Sequence, residues 1–202
     1  MASTIVGKQV VVVGAGIGGL AAAGALVDHF EHVVVLERDT LPLDAARRAG
    51  TPQSRHVHGL LAGGQRALGQ LFPTFEQDLA RAGALPVRVT LDVRIEMPGY
   101  DSFPQRDLGL VTYSMSRPLI ELVVRQCVER AANITVRKRC RARDLVPSAV
   151  IAVRCENEDR RSETLPTDLV IDASGRGNLT RRLLASIGQP MPEETVIGVD
   201  IG

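Results

Sequence analysis

The sequence predicts an α/β fold built on a parallel sheet. Residues 10–13 are four consecutive valines, the continuous β-branched run of a strand buried on both faces. A glycine-rich turn follows, and small apolar residues then fill positions 17–29, the composition of a helix lying close against a sheet. Residues 32–36 form a second apolar run. Strand, helix and strand in this order and length make one βαβ unit.

The rest of the chain divides by the same signals. Residues 38–64 read as loop, with Pro42, Gly50 and Pro52 inside them. Short helices are expected over 65–71 and 75–82, on either side of Pro73. Val87, Val89, Leu91, Val93 and Ile95 alternate, which predicts one or two strands over 87–97. A turn over 98–107 and a strand over 108–115 follow. Ser116 is a good N-cap, Pro118 suits a first turn, and Ile120, Val123, Val124, Cys127 and Val128 recur at helical spacing. Strands are expected over 134–139, 150–155, 168–171 and 195–201, and a helix over 179–187. Alternating Arg137, Arg139, Arg141 and Arg143 would put charge on one side of a strand, and Arg160 and Arg161 on a solvated hairpin.

Composition narrows the function classes. Among 202 residues, Lys+Arg is 24 and Asp+Glu is 23, so the net charge of +1 gives no general pull toward nucleic acid or an acidic membrane. Four Phe, two Tyr and no Trp argue against base-stacking surfaces. Cys127, Cys140 and Cys155 show neither a disulfide framework nor zinc spacing, which fits reduced thiols in a cytoplasmic protein. His56 and His58 alternate on a loop, but no Asp, Glu or Cys ligand stands near them in sequence, so no metal is assigned. The uncharged stretch 10–27 has the length of a membrane span, yet five glycines lie within it, and strand–turn–helix accounts for it better.

The turn after the first strand carries the chemistry. Gly14-Ala15-Gly16-Ile17-Gly18-Gly19 matches GxGxxG in the required context, a strand before and a helix after. Gly14 permits the sharp exit from the strand, Gly16 lets backbone approach a pyrophosphate, and Gly19 lets helix lie on sheet. The helix N-terminus offers unpaired N–H groups and a positive dipole end. Glu37, 18 residues after Gly19, closes the second strand, where a carboxylate accepts from both hydroxyls of an adenosine ribose. This is the Rossmann-like dinucleotide arrangement. The acid fits FAD or NAD, while the adjacent Arg38 fits the 2′-phosphate of NADP. A short-chain dehydrogenase would need a Tyr-x-x-x-Lys pair, and neither lysine, Lys8 or Lys138, stands four residues after Tyr100 or Tyr113.

Further segments resemble the FAD-dependent monooxygenases of the para-hydroxybenzoate hydroxylase-like superfamily. These are the Glu37-Arg38 end of strand two, the loop 48–61 (RAGTPQSRHVHGLL), the helix start 116–121 (SRPLIE), and the strand and turn 169–176 (LVIDASGR). In the last, Ser174 stands where the commoner form has Asp, and Asp172 where it has Gly. The resemblance implies a Rossmann-like FAD-binding domain with a β-meander over 1–84 and 116–190. It also implies an incomplete second β-sheet domain over 85–115 and 191–202, for substrate. It implies FAD as cofactor, NAD(P)H as transient reductant, a small organic substrate, and an FAD contact for Arg117. Arg48, or its neighbour Arg47, is placed to reach the pyrophosphate. Asp172 is placed to bond ribityl hydroxyls or turn N–H groups, while a cap on the helix at 179 looks too distant. No side-chain acid–base catalyst is identified. The third FAD fingerprint of the superfamily and most of its substrate domain do not occur in the 202 residues. That suggests an N-terminal portion, with a missing C-terminal half or oligomer partner, and a non-catalytic FAD/NAD(P)-binding module as the alternative.

Overall fold

The computed structural model describes residues 4–55, 58–147, 151–175, 177–195 and 197–198. Its centre is a four-stranded parallel sheet in the order β5-β2-β1-β9. The strands are β1 (Gly7–Val13), β2 (Phe30–Leu36), β5 (Ile134–Arg137) and β9 (Leu169–Asp172). In register, Val10–Val13 face Val33–Leu36 on one side and Leu169–Asp172 on the other. The first strand is therefore central, and its continuous valine run is explained: Val10, Val11 and Val12 are fully buried. A strand covered on both faces has no solvent side on which polar residues would alternate.

The two faces of this sheet carry different layers. Val10 and Val12 pack among α1 (Ile17–Leu26), α2 (Ala62–Leu71), α3 (Phe75–Arg81) and α4 (Arg117–Glu129), with Leu20, Phe72, Phe75 and Val124 in the same cluster. Val11 and Val13 point the other way, against Cys140, Val153, Cys155 and Leu179. That second layer is an antiparallel meander of β6 (Arg141–Val146), β7 (Ala152–Glu156) and β8 (Ser162–Pro166), with α5 (Leu179–Ser186) beside it. Helices, parallel sheet and meander thus make three layers.

The helix expected after Ser116 forms as its signals require. Ser116 Oγ accepts from Leu119 N at 3.3 Å, and the five predicted apolar positions are buried. Elsewhere the boundaries move. The alternation over 87–97 does not become a long strand: β3 (Leu85–Arg88) pairs only with β4 (Val111–Ser114). Asp92 is the reason. Its carboxylate accepts from Arg88 N at 2.8 Å and from the Arg88 guanidinium, while Asp92 N donates to Arg88 O at 2.8 Å. This closes a turn where the strand would continue, and Val93 and Ile95 stay exposed. The four alternating arginines do not share one strand either. Arg139 takes φ 55, β5 ends before it and β6 begins after it. Of the strand expected over 195–201, Thr195, Ile197 and Gly198 are irregular and exposed, and the remainder lies outside the described residues. His56, Arg176 and the start of the strand expected over 150–155 also lie outside them.

The turn between β1 and α1 is held by backbone-to-backbone approach. A Cβ on Gly19 would stand 1.9 Å from Gly14 O, and one on Gly14, whose φ is +102, would stand 2.6 Å from Ala173 O. A Cβ on Gly18 would meet nothing within 4 Å. The neighbouring substitutions therefore have opposite signs. Gly18→Ala removes a helical glycine and is expected to raise stability by about 0.5–1 kcal/mol. Gly19→Ala forces helix from sheet and is expected to lower it by at least about 1–3 kcal/mol. Urea unfolding of both variants checks the pair.

Candidate functional site

A cleft of about 460 Å³ opens at the C-terminal ends of β1, β2 and β9. In an open α/β sheet that end is where ligands are held, and the volume is that of a small-molecule site. Its floor is the glycine turn. Gly14, Gly16, Ile17 and Gly18 line it, and a Cβ on Gly16 or Gly18 would point into open space. Gly14 N donates to Leu36 O and Leu20 N to Gly16 O, but the amides of Gly16, Ile17, Gly18 and Gly19 have no acceptor among the described residues. The start of α1 thus presents unpaired donors at a positive dipole end.

Ala15 and Gly19 belong to the turn without lining the cleft. Ala15 is buried and donates its N–H to Glu37 Oε2 at 2.8 Å. Glu37 lines the cleft and is 4% exposed. Its other oxygen, Oε1, accepts from Asp39 N at 2.9 Å. The predicted sugar acid is thus locked onto the glycine turn from the end of the neighbouring strand. Arg38 also lines the cleft, from a mostly solvated position 3.9 Å from Asp39.

Arg48 is held largely by the protein itself. It lines the cleft, but its guanidinium is buried and joins the structure together. Nη1 donates to Glu37 Oε2 and Asp39 Oδ2, each at 3.1 Å, Nη2 to Ala15 O at 3.0 Å, and Nε to Glu121 Oε2 at 3.3 Å. Four of its five N–H donors are engaged by the protein. Gly50 permits this arrangement, since a Cβ there would stand 2.5 Å from Asp39 Oδ2. Arg117 lines the cleft at the start of α4 and donates through Nε to Glu121 Oε1 at 3.0 Å; its Nη groups have no acceptor among the described residues.

Asp172 bonds a turn N–H as expected, at Ser174, and corrects the expectation that the helix at 179 is too distant. The helix at 179 is within its reach: Oδ2 accepts from Thr180 N at 3.2 Å and Thr180 Oγ1 at 2.7 Å, and Oδ1 from Ser174 N at 3.1 Å. Gly175, with φ +70, folds the segment back and closes the gap of eight residues that looked too long. Burial alone would raise the Asp172 pKa, but these donors outweigh it and hold the carboxyl below its ordinary range.

Several residues of the cleft and its surroundings are not singled out as site residues by the sequence, although Arg141 and Arg143 read there as a charged strand face. Arg141, Arg143, Asn178 and Arg182 line the far wall, where the meander and α5 approach the parallel sheet. Asp39 and Glu121 clamp the arginines from behind without lining the cleft. The position of Glu121 four residues after Arg117 was the available signal. Cys127 and Cys155 are buried thiols, which burial pushes up to about 11 and about 12, so neither supplies a ready thiolate. Among the described residues no group of three or more His, Cys, Asp or Glu gathers to hold a metal, and no helix is long and apolar enough to cross a membrane.

This architecture matches solved flavoenzymes. The myxobacterial chondrochloren halogenase CndH, an FAD-dependent halogenase, superposes with a TM-score of 0.62 at 19% identity, over 87% of this chain and 39% of that one. The flavin-dependent monooxygenase PieE, solved with FAD and substrate, gives 0.62 at 19% identity, over 92% and 32%. The p-nitrophenol 4-monooxygenase PnpA from Pseudomonas putida gives 0.59 at 16% identity, over 87% and 42%. The fold is that of the FAD-dependent monooxygenases and halogenases. In this flavoenzyme fold the chain spans well under half of each matched structure. In sequence it is 32% identical over 204 residues to Protein Rv3254 of Mycobacterium tuberculosis (strain ATCC 25618 / H37Rv), covering 95% of this chain and 43% of that protein. No family model matches the chain.

Two outcomes follow from the buried charges. Arg48→Met leaves Glu37 buried without its counter-charge, and Glu121 with Arg117 alone, and is expected to cost about 3–5 kcal/mol, read by denaturant unfolding. Asp172 has its pKa depressed in the fold, so its contribution is present above the unfolded value of about 3.9 and is lost as pH falls through the folded value. Asp172→Asn is therefore expected to be less stable than wild type near neutrality and to show a shallower acid loss, measured as melting temperature against pH.

Proposed function

We propose that this chain is the FAD-holding part of a flavin-dependent oxidoreductase, a monooxygenase acting on a small organic substrate with NAD(P)H as reductant. The observation that carries the reading is the cleft at the β1–α1 turn. Unpaired amides and two side-chain-free glycines face it from one side, and a fixed carboxylate lines it at the end of β2. An FAD diphosphate suits the first and an adenosine ribose the second. The fold it shares with CndH and PieE supports FAD over a nicotinamide dinucleotide as the resident group.

The residues present fit that cofactor. Gly14, Gly16, Ile17 and Gly18 would hold the diphosphate through backbone, with Arg117 as a charged donor to it. Glu37 accepts three hydrogen bonds from the protein, which leaves a lone-pair site on its carboxylate for a ribose hydroxyl. Arg38 stands at the solvated rim, and Asp172 supports the cleft indirectly by tying the turn after β9 to α5. FAD, when bound, supplies the redox chemistry, taking a hydride from NAD(P)H and delivering electrons to oxygen or substrate. The chain's own part is to bind, orient and charge-balance the cofactor, and no side chain is assigned as an acid–base catalyst.

Purified protein titrated with FAD tests this. Flavin absorbance retained through gel filtration, with NAD(P)H oxidation in air, is the expected result. Glu37→Gln is expected to weaken FAD by about tenfold, the worth of one charge-assisted hydrogen bond. Wild-type protein that retains no flavin, or undiminished affinity in Glu37→Gln, would remove the cofactor reading or the ribose role respectively.

A further inference from the structure

The geometry points to Glu121 as a positioning residue that sets the anion-binding fork of Arg117; this rests on the reading of the cleft as a diphosphate site. Glu121 does not line the cleft and is 9% exposed. Each of its oxygens accepts from a different guanidinium, Oε1 from Arg117 Nε at 3.0 Å and Oε2 from Arg48 Nε at 3.3 Å. The two arginines then differ in what remains to them. Arg48 turns both Nη groups onto protein acceptors, namely Glu37, Asp39 and Ala15 O. Arg117 lines the cleft and keeps both Nη groups without an acceptor among the described residues.

A guanidinium held by Nε is fixed in plane and direction, and its Nη pair forms the bidentate donor that matches phosphate oxygens. Two arginines fastened to one carboxylate would otherwise repel, and the cationic start of α4 is opposed by the helix dipole. The buried negative charge between them relieves both effects. Its place one helical turn after Arg117, on a helix capped by Ser116, makes the arrangement rigid. Arg48 is thereby a structural bridge, and Arg117 is the phosphate donor whose aim Glu121 determines.

A double-mutant cycle on FAD binding tests this, with folding of each protein checked by far-UV circular dichroism. Glu121→Gln and Arg117→Met are each expected to weaken FAD by about tenfold. The double variant is expected to bind no more weakly than Arg117→Met alone, because Glu121 acts through that arginine. Additive losses, or wild-type affinity in Glu121→Gln, overturn the role. If Glu121→Gln fails to fold, Glu121→Asp carries the test. Aspartate keeps the charge but is one methylene shorter and loses the reach to Arg117 Nε, so weakened FAD binding that disappears in an Arg117→Met background is expected, and wild-type affinity overturns the role. Wild-type protein that takes up no FAD removes the cofactor reading and this role with it. Wild-type binding with additive losses removes the positioning role alone.

Discussion

The close approach of backbone to backbone where β1 meets α1 is the constraint from which the site follows. Helix and sheet touch there without side chains between them: Gly19 packs on Gly14 O, and Gly14 on Ala173 O. That contact brings the first turn of α1 to the end of the central strand and leaves its amides facing the cleft. It also sets the turn where Glu37 can reach Ala15 N from the next strand. One substituent larger than hydrogen at either glycine would separate donors, acid and sheet together.

Around this contact the protein balances buried charge with little to spare. Glu37, Asp39 and Glu121 are carboxylates at or behind a site suited to an anion, an arrangement that alone would repel phosphate. Arg48 binds all three, and Arg117 adds a second cation on Glu121. The acids hold the arginines, and the arginines neutralise the acids where they lie buried beside the cleft. Single changes within such a network leave a charge buried without its partner, which is why their effects exceed those of surface ion pairs.

The parts of the structure legible in the sequence are those encoded by local patterns. The valine run of β1, the glycine turn, the acid after β2 and the Ser116 cap depend on residues close in sequence, and each takes its expected place. The failures arise where distant partners decide. The alternation through Val93 and Ile95 is as regular as a real strand's, but no partner strand among the described residues pairs with it, and Asp92 closes a local turn instead. Asp172 lies too far from α5 by counting residues and within hydrogen-bond distance in the fold, where the chain bends at Gly175. Arg48 reads as a residue placed to reach the pyrophosphate, and nothing local reveals that Glu37, Asp39 and Glu121 also converge upon it. Pairing across 73 residues, as between Arg48 and Glu121, has no periodicity to announce it.

The cleft walls come from the first strand, the loop after the second, the start of α4, the first meander strand and the turn before α5. These segments lie up to about 170 positions apart along the chain, so the pocket closes only after the longest loops have closed. A ligand seated there would contact segments distant in sequence, from the first strand to α5, and would draw on the folding equilibrium that joins them, not on that of one loop. Occupancy and stability are then coupled: any ligand that binds there would stabilise the meander as well as the parallel sheet, although the meander supplies only the far wall.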